Sequence, residues 1–555
     1  MENSPLQRHT ECLPSFSSSL AQPHIPLPYE ALFGITEGNA VEADEISRSY
    51  GETSCSSGLF PFGVAPSSEV NFGNAPTHAS GELSSNTEKL DSQILWWRNA
   101  PFLYSGVLSH KLEWPTLTVE FLNSPAGSRS KQSIANTSGW LTQKLLLGTC
   151  TSGQETDSLL IGELKFPVTF FFKEDPLKCE NYSGFIAPRS RNKLGCSPAP
   201  QIPHFEIKAR LIHSGDVNRA VHMPQNEFLI ATQSSSGKAF FFDYSKHPSY
   251  PTDTTISTPQ LILRGHTKEG FGLSWHPGEK GLLASASTDG TLAVWNVSAG
   301  GIKYKTSKVQ FGPKAWSTAT TGYLPGINEE SVSIDPLYLW SGDTLQSAQN
   351  DVHFHPLHSF LLSSCSDDGR FSVWDLRQNC KPQNPAACGI QSNESAINSL
   401  AHNWHCEYVL ATGNDIGSIA LWDLRSLKMP THNMRYHSDS INRLHFNPGC
   451  SALLGSASQD STVVIWDLSR CQVDSENISN SHLDKAVSEN ANSPTGHDKL
   501  NEVPKEVLFV HGGHRGGVSD FCWSLNRKQP LLAASAGWDN RLCCWQMAET
   551  AFADV

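Results

Sequence analysis

The stretch Ser456–Asp467, SASQDSTVVIWD, ends a short hydrophobic run with Trp-Asp and carries Asp460 six residues before that tryptophan. Four other runs end in tryptophan followed by an acid or an amide: Trp295-Asn296, Trp374-Asp375, Trp422-Asp423 and Trp545-Gln546. Three of these four repeat the aspartate at the same offset: Asp289, Asp368 and Asp539. Gly265-His266 and Gly513-His514 add the Gly-His half of the WD-type repeat. Five such units in register predict an all-β fold, a WD-repeat β-propeller.

The spacing of the tryptophans gives the size of one blade and locates two insertions. Trp374 to Trp422 is 48 residues and Trp422 to Trp466 is 44, close to the roughly 40–45 residues of a four-stranded blade. The two remaining intervals are 79 residues each. We therefore expect insertions around residues 308–345 and 471–504. We interpret both as surface loops, because neither has the hydrophobic pattern of a blade.

Seven blades account for the chain from residue 101 to residue 549. Phe242-Asp243 is interpreted as a degenerate Trp-Asp unit, and the apolar runs at 141–148, 158–166 and 205–212 fit a degenerate first blade. The strand at 112–122 then remains without a place. We expect this strand to complete the last blade, because closing the ring removes free sheet edges that would otherwise pair with other chains.

The start of the chain has a different composition from the rest. Residues 1–90 hold 11 acidic and three basic residues, which is −8 of the net charge of −13, and they are rich in Ser, Pro, Gly and Asn. This composition predicts a disordered acidic tail over 1–84. A short helix on the rim of the ring is predicted over 85–100. Its signals are the capping box Ser85-Asn86-Thr87-Glu88, the apolar stripe Leu90, Ile94 and Trp97, and Pro101 as its stop.

Composition also argues against several classes of protein. The sequence has no run of 18 or more apolar residues and no signal-peptide pattern at its start, so we expect neither a membrane span nor secretion. The net charge of −13 argues against nucleic acid as the main ligand and permits a basic protein partner. The 14 cysteines are scattered without a C-x-x-C pair, and we expect buried thiols.

Both ends of the predicted ring resemble one known family. WRNAPFLY at 97–104 and LEWPTLT at 112–118 are similar to the amino-terminal helix and first strand of the retinoblastoma-binding, WD-repeat histone chaperones, the type that includes the small subunit of chromatin assembly factor. FVHGGH at 509–514 and WQMAE at 545–549 resemble the last blade of that family, and DVNRA at 216–220 resembles its second blade. The match runs in order from about residue 91 to 549. Generic propellers do not share these ends.

The resemblance implies a non-enzymatic nuclear scaffold that holds core histones for chromatin assembly factor, histone deacetylase, nucleosome-remodelling and Polycomb-type complexes. One surface of the family is a rim groove that receives an amphipathic helix of the fourth core histone. The residues that would form it here are Phe102, Leu103, Phe509, Val510, Asp498 and Glu502. The acidic loop of this groove departs from the family, since it is longer and keeps only Pro504 of a Pro-Pro pair.

The second surface of the family is the top channel of the propeller, where acids bind the basic tail of the third core histone. Positions that keep compatible chemistry are Glu113, Asp216, Asn218, Arg219, Glu269, Phe271 and Asn398. Where relatives have acids, this sequence has Asn350, Ser440 and Trp538. The resemblance therefore predicts a less acidic channel and weak, salt-sensitive binding of a histone tail.

Motifs of catalysis and of metal binding do not occur in the sequence. It has no H-E-x-x-H, G-x-x-x-x-G-K-[ST], G-x-S-x-G or G-x-G-x-x-G, so we expect neither an enzyme nor a cofactor. His266, His511 and His514 lie in Gly-His turns, where we expect an Asp or Ser partner rather than a metal. Two other functions stay open. They are a WD-repeat chaperone of a basic ribosomal protein and a substrate adaptor of a ubiquitin ligase.

Overall fold

Seven sheets of four or five strands form a ring of seven blades, which confirms the predicted all-β propeller. The structure is a computed structural model, and it describes residues 95–122, 140–167, 203–254, 256–297, 326–327, 332–341, 345, 347–377, 384–392, 394–471, 503–526 and 530–548. The predicted tail, 1–84, lies outside the described residues. Within these ranges no helix has the length and apolar character needed to cross a membrane.

In each blade the first strand in the chain is the innermost, and these first strands contact one another around the ring. Blade 1 consists of Val119–Leu122, Trp140–Gly148, Ser158–Pro167 and His204–Ile212. Blade 2 consists of Val217–Met223, Asn226–Ser234, Ala239–Asp243 and Leu261–Leu263. Blade 3 consists of Gly272–Trp275, Leu282–Ala286, Leu292–Asn296 and Tyr338–Trp340. Blade 4 consists of Gln349–Phe354, Leu361–Ser366, Arg370–Asp375 and Ala387–Ile390.

The remaining blades follow the same pattern. Blade 5 consists of Ile397–His402, Val409–Asn414, Ser418–Asp423 and His432–Arg435. Blade 6 consists of Ile441–Phe446, Leu453–Ser458, Val463–Asp467 and Val507–His511. Blade 7 consists of Val518–Trp523, Leu532–Gly537, Arg541–Met547 and the amino-terminal strand Tyr104–Lys111. Outside the blades lie a two-stranded parallel sheet, Ile256–Ser257 with Gly326–Ile327, and the 3-10 helices Tyr244–Lys246 and Leu468–Arg470.

The ring is closed by Tyr104–Lys111, which pairs antiparallel with Arg541–Met547. The predicted closing strand, 112–122, is therefore wrong. Its last four residues form the innermost strand of blade 1, and residues 112–118 link the two strands. Pro115 explains the break, because proline has no N–H to donate to a strand ladder. The prediction that the amino-terminal end closes the last blade is correct, but the strand that does so lies earlier in the chain.

Part of the first predicted insertion belongs to the blades. Val332–Ile334 pairs parallel with Leu261–Leu263 as a fifth strand of blade 2, and Tyr338–Trp340 is the outermost strand of blade 3. The insertion boundary predicted at residue 345 is therefore wrong. Strands of three residues are too short to show a hydrophobic period in the sequence. Of the second predicted insertion, the structure describes only Cys471, Val503 and Pro504.

The core is divided among the interfaces between neighbouring blades, and the repeat tryptophans are fully or almost fully buried in it. In blade 6 the indole N–H of Trp466 donates to Ser456 Oγ at 2.8 Å. His437 links the same hydroxyl, at 2.7 Å, to the carboxylate of Asp460, at 2.8 Å. The aspartate six residues before the tryptophan is thus part of a buried chain of hydrogen bonds that ties the turn of the blade to its core.

Candidate functional site

A buried chain of hydrogen bonds holds the helical residues 95–103 against the outermost strand of blade 6. Trp96 Nε1 donates to the hydroxyl of Tyr104 at 3.0 Å, and this hydroxyl is 2.7 Å from His511 Nδ1. Because the tyrosine oxygen accepts from the indole, its own hydrogen is donated to the histidine. Burial and the nearby His514 lower the pKa of His511 well below its usual range, so the ring is neutral and its proton lies on Nε2. The predicted Asp or Ser partner of His511 is therefore wrong, and the partner is Tyr104.

The helix differs from the predicted one in its end and in its buried face. It continues past Pro101 to residue 103, because a proline in the last turn removes only one backbone hydrogen bond. The side chains buried against the ring are Trp96, at 2% exposure, and Ala100, at 0%. Trp97 is half-buried and packs edge-on against Trp96, with 4.6 Å between the ring centroids. The predicted stripe residues Leu90 and Ile94 lie outside the described residues.

The structure separates the predicted groove residues into two sets. Phe102 is 71% exposed beside the half-buried Leu103, and the backbone oxygen of Leu103 accepts from Ala548. Phe509 is only 6% exposed and lies beneath them in the core between blades 6 and 7. Val510 packs on the other side of the strand, against the core between blades 5 and 6. Asp498 and Glu502 lie outside the described residues.

One rim residue has no counterpart among the predicted groove residues. Leu508 is half-buried and packs against the same core cluster as Leu103, because the strand pairing of blade 6 shifts register between the pairs Ile465 with Phe509 and Trp466 with Val507. This β-bulge turns Leu508 toward the helix, whereas strict alternation would have turned it away. The apolar rim surface of Phe102, Leu103 and Leu508 is called the rim patch below.

A repeated β-bulge shapes the top of the channel. The inner strands of five blades shift register at their second residue, and the residues concerned are Asn218, Asn350, Asn398, Asn442 and Ser519. Each side chain reaches the following blade around the ring. Asn350 Nδ2 donates to the backbone oxygen of Ile397 at 3.0 Å, and Asn398 Nδ2 donates to Ser440 Oγ at 2.8 Å. The predicted channel residues Asn218 and Asn398 therefore join neighbouring blades, and so does Asn350.

Below this belt, charged residues pair across the inside of the ring. Arg219 is 2.9 Å from Asp520, and Arg443 is 3.1 Å from Asp351. Arg219, predicted to contact a peptide, is 7% exposed, and its Nε donates to the backbone oxygen of Phe271. The three partners were not predicted, although the sequence carries a signal for them. Arg219, Asp351, Arg443 and Asp520 occupy the same place, the third residue of the inner strand, in four blades.

Comparison with known families gives two matches. Residues 91–168, which comprise the helix, the closing strand and most of blade 1, match the family described as the histone-binding protein RBBP4 or the corresponding component of the CAF1 complex. Residues 257–296, 335–375, 428–467 and 505–546 match the WD domain, G-beta repeat. The chain belongs to the WD-repeat histone-binding chaperone family. This family binds histones, is associated with chromatin and is typically non-catalytic.

The acids that this family member keeps at the top of the ring each have a partner within the described structure. Glu113 has a side chain that is 73% exposed, and its carboxylate accepts from Arg210 at 2.9 Å. Asp216 accepts from the backbone N–H of Ser152 at 2.7 Å. Glu269 accepts from Asn218 at 3.2 Å. Phe271 is half-buried beside Glu269, so Glu269 and Phe271 are neighbours as the resemblance implied.

A buried acid that was not predicted from the sequence lies near Asp216. Asp157 is 2% exposed and accepts hydrogen bonds from Thr149 and Thr151. Burial and the charge of Asp216 raise the pKa of Asp157 to about 7. In the unfolded chain an aspartate has a pKa of about 3.9. The folded protein therefore binds a proton that the unfolded chain releases between these two values, and the stability contributed by Asp157 is lost as pH rises from about 4 to about 7.

Asp157→Asn should raise the free energy of unfolding at pH 8 by about 1–3 kcal/mol, because the neutral amide removes the buried charge and can keep most of the hydrogen bonds. The gain should vanish near pH 4, where the parent carboxyl is already neutral. Urea unfolding of both proteins at the two pH values measures this. An equal difference at pH 4 and pH 8 would show that Asp157 does not titrate in this range.

Proposed function

We propose that this protein is a nuclear scaffold subunit of chromatin assembly, deacetylase, remodelling or Polycomb-type complexes, and that its rim patch holds a helix of a core histone. The observation that supports this most directly is Phe102, an aromatic side chain that is 71% exposed at the end of a helix anchored by a buried hydrogen-bond chain. An exposed aromatic residue on a rigid element is a suitable anchor for the apolar face of a partner helix.

The proposed groove differs from the one implied by the resemblance. Its apolar part consists of Phe102, Leu103 and Leu508, since Phe509 supports the surface from below and Val510 faces the other side of the strand. The acids of the groove, Asp498 and Glu502, remain a prediction for the side that meets the basic residues of the histone helix. The match to a histone-binding family favours histones over a ribosomal protein or a ubiquitin-ligase substrate as the partner.

Phe102→Asp should weaken binding of a peptide that spans the first helix of the fourth core histone by at least about tenfold. Burial of a phenylalanine side chain in a complex is worth about 1.5–3 kcal/mol, and about 1.4 kcal/mol corresponds to tenfold. Isothermal titration calorimetry on the full chain measures the affinity. Met429→Asp is a matched control, because Met429 is 72% exposed but lies in blade 5, and this variant should bind like the parent.

Equal affinities of the Phe102→Asp variant and the parent would exclude the rim patch as the histone site. Leu508→Asp gives a second test on the strand side of the patch and should also weaken the peptide. A folded-state control is needed for this variant, since Leu508 is half-buried. Its unfolding temperature should therefore be compared with that of the parent before the affinities are compared.

We propose a smaller role for the top face. Of the residues implied for it, Asn218, Arg219 and Asn398 are hydrogen-bonded within the ring, which leaves Glu113, Asp216, Glu269 and Phe271 for a basic histone tail. These groups belong to the first three blades and the segment that precedes blade 1, so a tail would be held on one side of the channel rather than encircled. Weak, salt-sensitive binding is the expected consequence.

A further inference from the structure

Three side chains with metal-binding chemistry meet where the second insertion leaves and rejoins the ring. His432, Cys471 and Glu506 offer a nitrogen, a sulfur and an oxygen atom, and these three atoms all lie within 4.8 Å of one another. His432 Nε2 is 3.1 Å from Glu506 Oε1, and all three residues are half-buried. Zinc, with bonds of about 2.0–2.3 Å in a tetrahedral arrangement, keeps its donor atoms about 3.3–3.7 Å apart. Small side-chain rotations would therefore bring the trio to coordination distance.

The backbone holds the three residues in place independently of any ligand. His432 is the first residue of the outermost strand of blade 5. Cys471 ends the 3-10 helix Leu468–Arg470, and its N–H donates to the backbone oxygen of Leu468. The backbone N–H of Asp467 donates to the backbone oxygen of Glu506 at 2.8 Å, which fixes one stem of the insertion against the other. A site built on such rigid elements needs little reorganisation to bind an ion.

The chemistry of the trio favours a zinc-type ion. Thiolate and imidazole ligands together suit zinc and similar transition metals, whereas magnesium and calcium prefer sites made only of oxygen atoms. Burial, Glu506 and Asp467 raise the pKa of the Cys471 thiol to about 11, so the thiol keeps its proton at neutral pH when no cation is near. A divalent ion beside Glu506 would displace that proton and bind the thiolate.

We propose that His432, Cys471 and Glu506 form a site for a zinc-class divalent metal ion, with solvent completing the coordination. The ion would clip the two stems of the second insertion to the outermost strand of blade 5. A second group of donors in the described part of the chain, His511, His514 and Cys543, does not fit this role. Both of its histidines already have hydrogen-bond partners in the core, Tyr104 and Asp539.

Titration of the full, reduced chain with Co²⁺ tests the proposal, because a cobalt ion bound by a thiolate gives a near-ultraviolet charge-transfer absorption. We expect one equivalent of Co²⁺ to produce this band and Zn²⁺ to remove it by displacement. Cys471→Ser should abolish the band, and His432→Ala and Glu506→Gln should each weaken Co²⁺ binding at least tenfold. At zinc concentrations about a hundredfold above the dissociation constant, the unfolding temperature of the parent should rise by roughly 2–3 °C.

Two matched variants control for other cysteines and for other pairs of histidine and glutamate. Cys406→Ser removes an exposed thiol, and His358→Ala removes the histidine that is 2.7 Å from Glu407, a pair that belongs to no group of three donors in the described residues. Both variants should keep the band and the affinity of the parent. A band that survives Cys471→Ser, or no band at one equivalent, would overturn the proposal. Circular dichroism of each metal-free variant checks that it is folded.

The metal site is independent of the proposed histone function. None of the three metal ligands belongs to the rim patch, and the histone peptide can be titrated in the presence of a chelator. Loss of peptide binding without loss of the cobalt band would contradict the histone site alone, whereas the reverse would contradict the metal site alone.

Discussion

Val107→Asp is expected to lower the free energy of unfolding by at least about 4 kcal/mol, or to prevent folding altogether. Val107 is fully buried in the closing strand, where it is paired with Trp545 of blade 7. Loss of its burial costs about 1.5–3 kcal/mol, and a carboxylate in the same place adds a desolvation cost of several kcal/mol. Because this strand joins the two ends of the ring, the damage also exposes the edge of Arg541–Met547.

Lys111→Asp is the matched control on the same strand. Lys111 is exposed and lies opposite Arg541, so an aspartate there should change the stability by no more than about 0.5 kcal/mol. Truncations extend the test: removal of residues 1–84 should leave a single cooperative unfolding transition, whereas removal of residues 1–111 should give an aggregating chain. Urea or thermal unfolding measures all four proteins. Equal stability of the Val107→Asp and Lys111→Asp variants would contradict closure by this strand.

The number and type of the blades were predictable because the Trp-Asp units report a local hydrogen-bonded motif. Asp460, His437, Ser456 and Trp466 contact one another within one blade, so the sequence of one blade is enough to define them. The closing strand was placed wrongly for the opposite reason. Its partner, Arg541–Met547, lies more than 400 residues away, and no local feature distinguishes a strand of the last blade from one of the first.

The functional surfaces were less predictable, because backbone irregularities decide where their side chains point. The resemblance placed Phe102 and Leu103 correctly on the rim, but the bulge that turns Leu508 outward shifts the pairing by one residue and has no sequence signal. Similarly, Asn350 aligns with acids of relatives, yet the bulge at its position turns it toward Ile397 of the next blade. A residue that looks like a lost ligand therefore has a structural role.

Asp520→Ala should destabilise the propeller by about 3–5 kcal/mol, because it leaves buried cations without their partner. Asp520 is 2% exposed, is 2.9 Å from Arg219, and accepts from the backbone N–H of Val119 in blade 1. Although burial alone acts to lower the pKa of Arg219, Asp520 and Asp351 raise it, so the guanidinium stays charged in the folded protein. Arg443 retains Asp351 at 3.1 Å, which makes Arg219 the group that loses most.

The double variant Arg219→Met with Asp520→Ala separates a structural pair from a peptide-binding arginine. Removal of both charges should recover at least half of the stability lost in Asp520→Ala, because an apolar side chain can replace a buried ion pair at little cost. Urea unfolding of the parent, both single variants and the double variant gives the interaction energy of the pair. Since Arg219 is 7% exposed, Arg219→Met should leave the affinity for a histone-tail peptide unchanged, whereas Glu269→Gln should weaken it. A tenfold loss of tail binding in Arg219→Met, without loss of stability, would return Arg219 to the peptide site implied by the family resemblance.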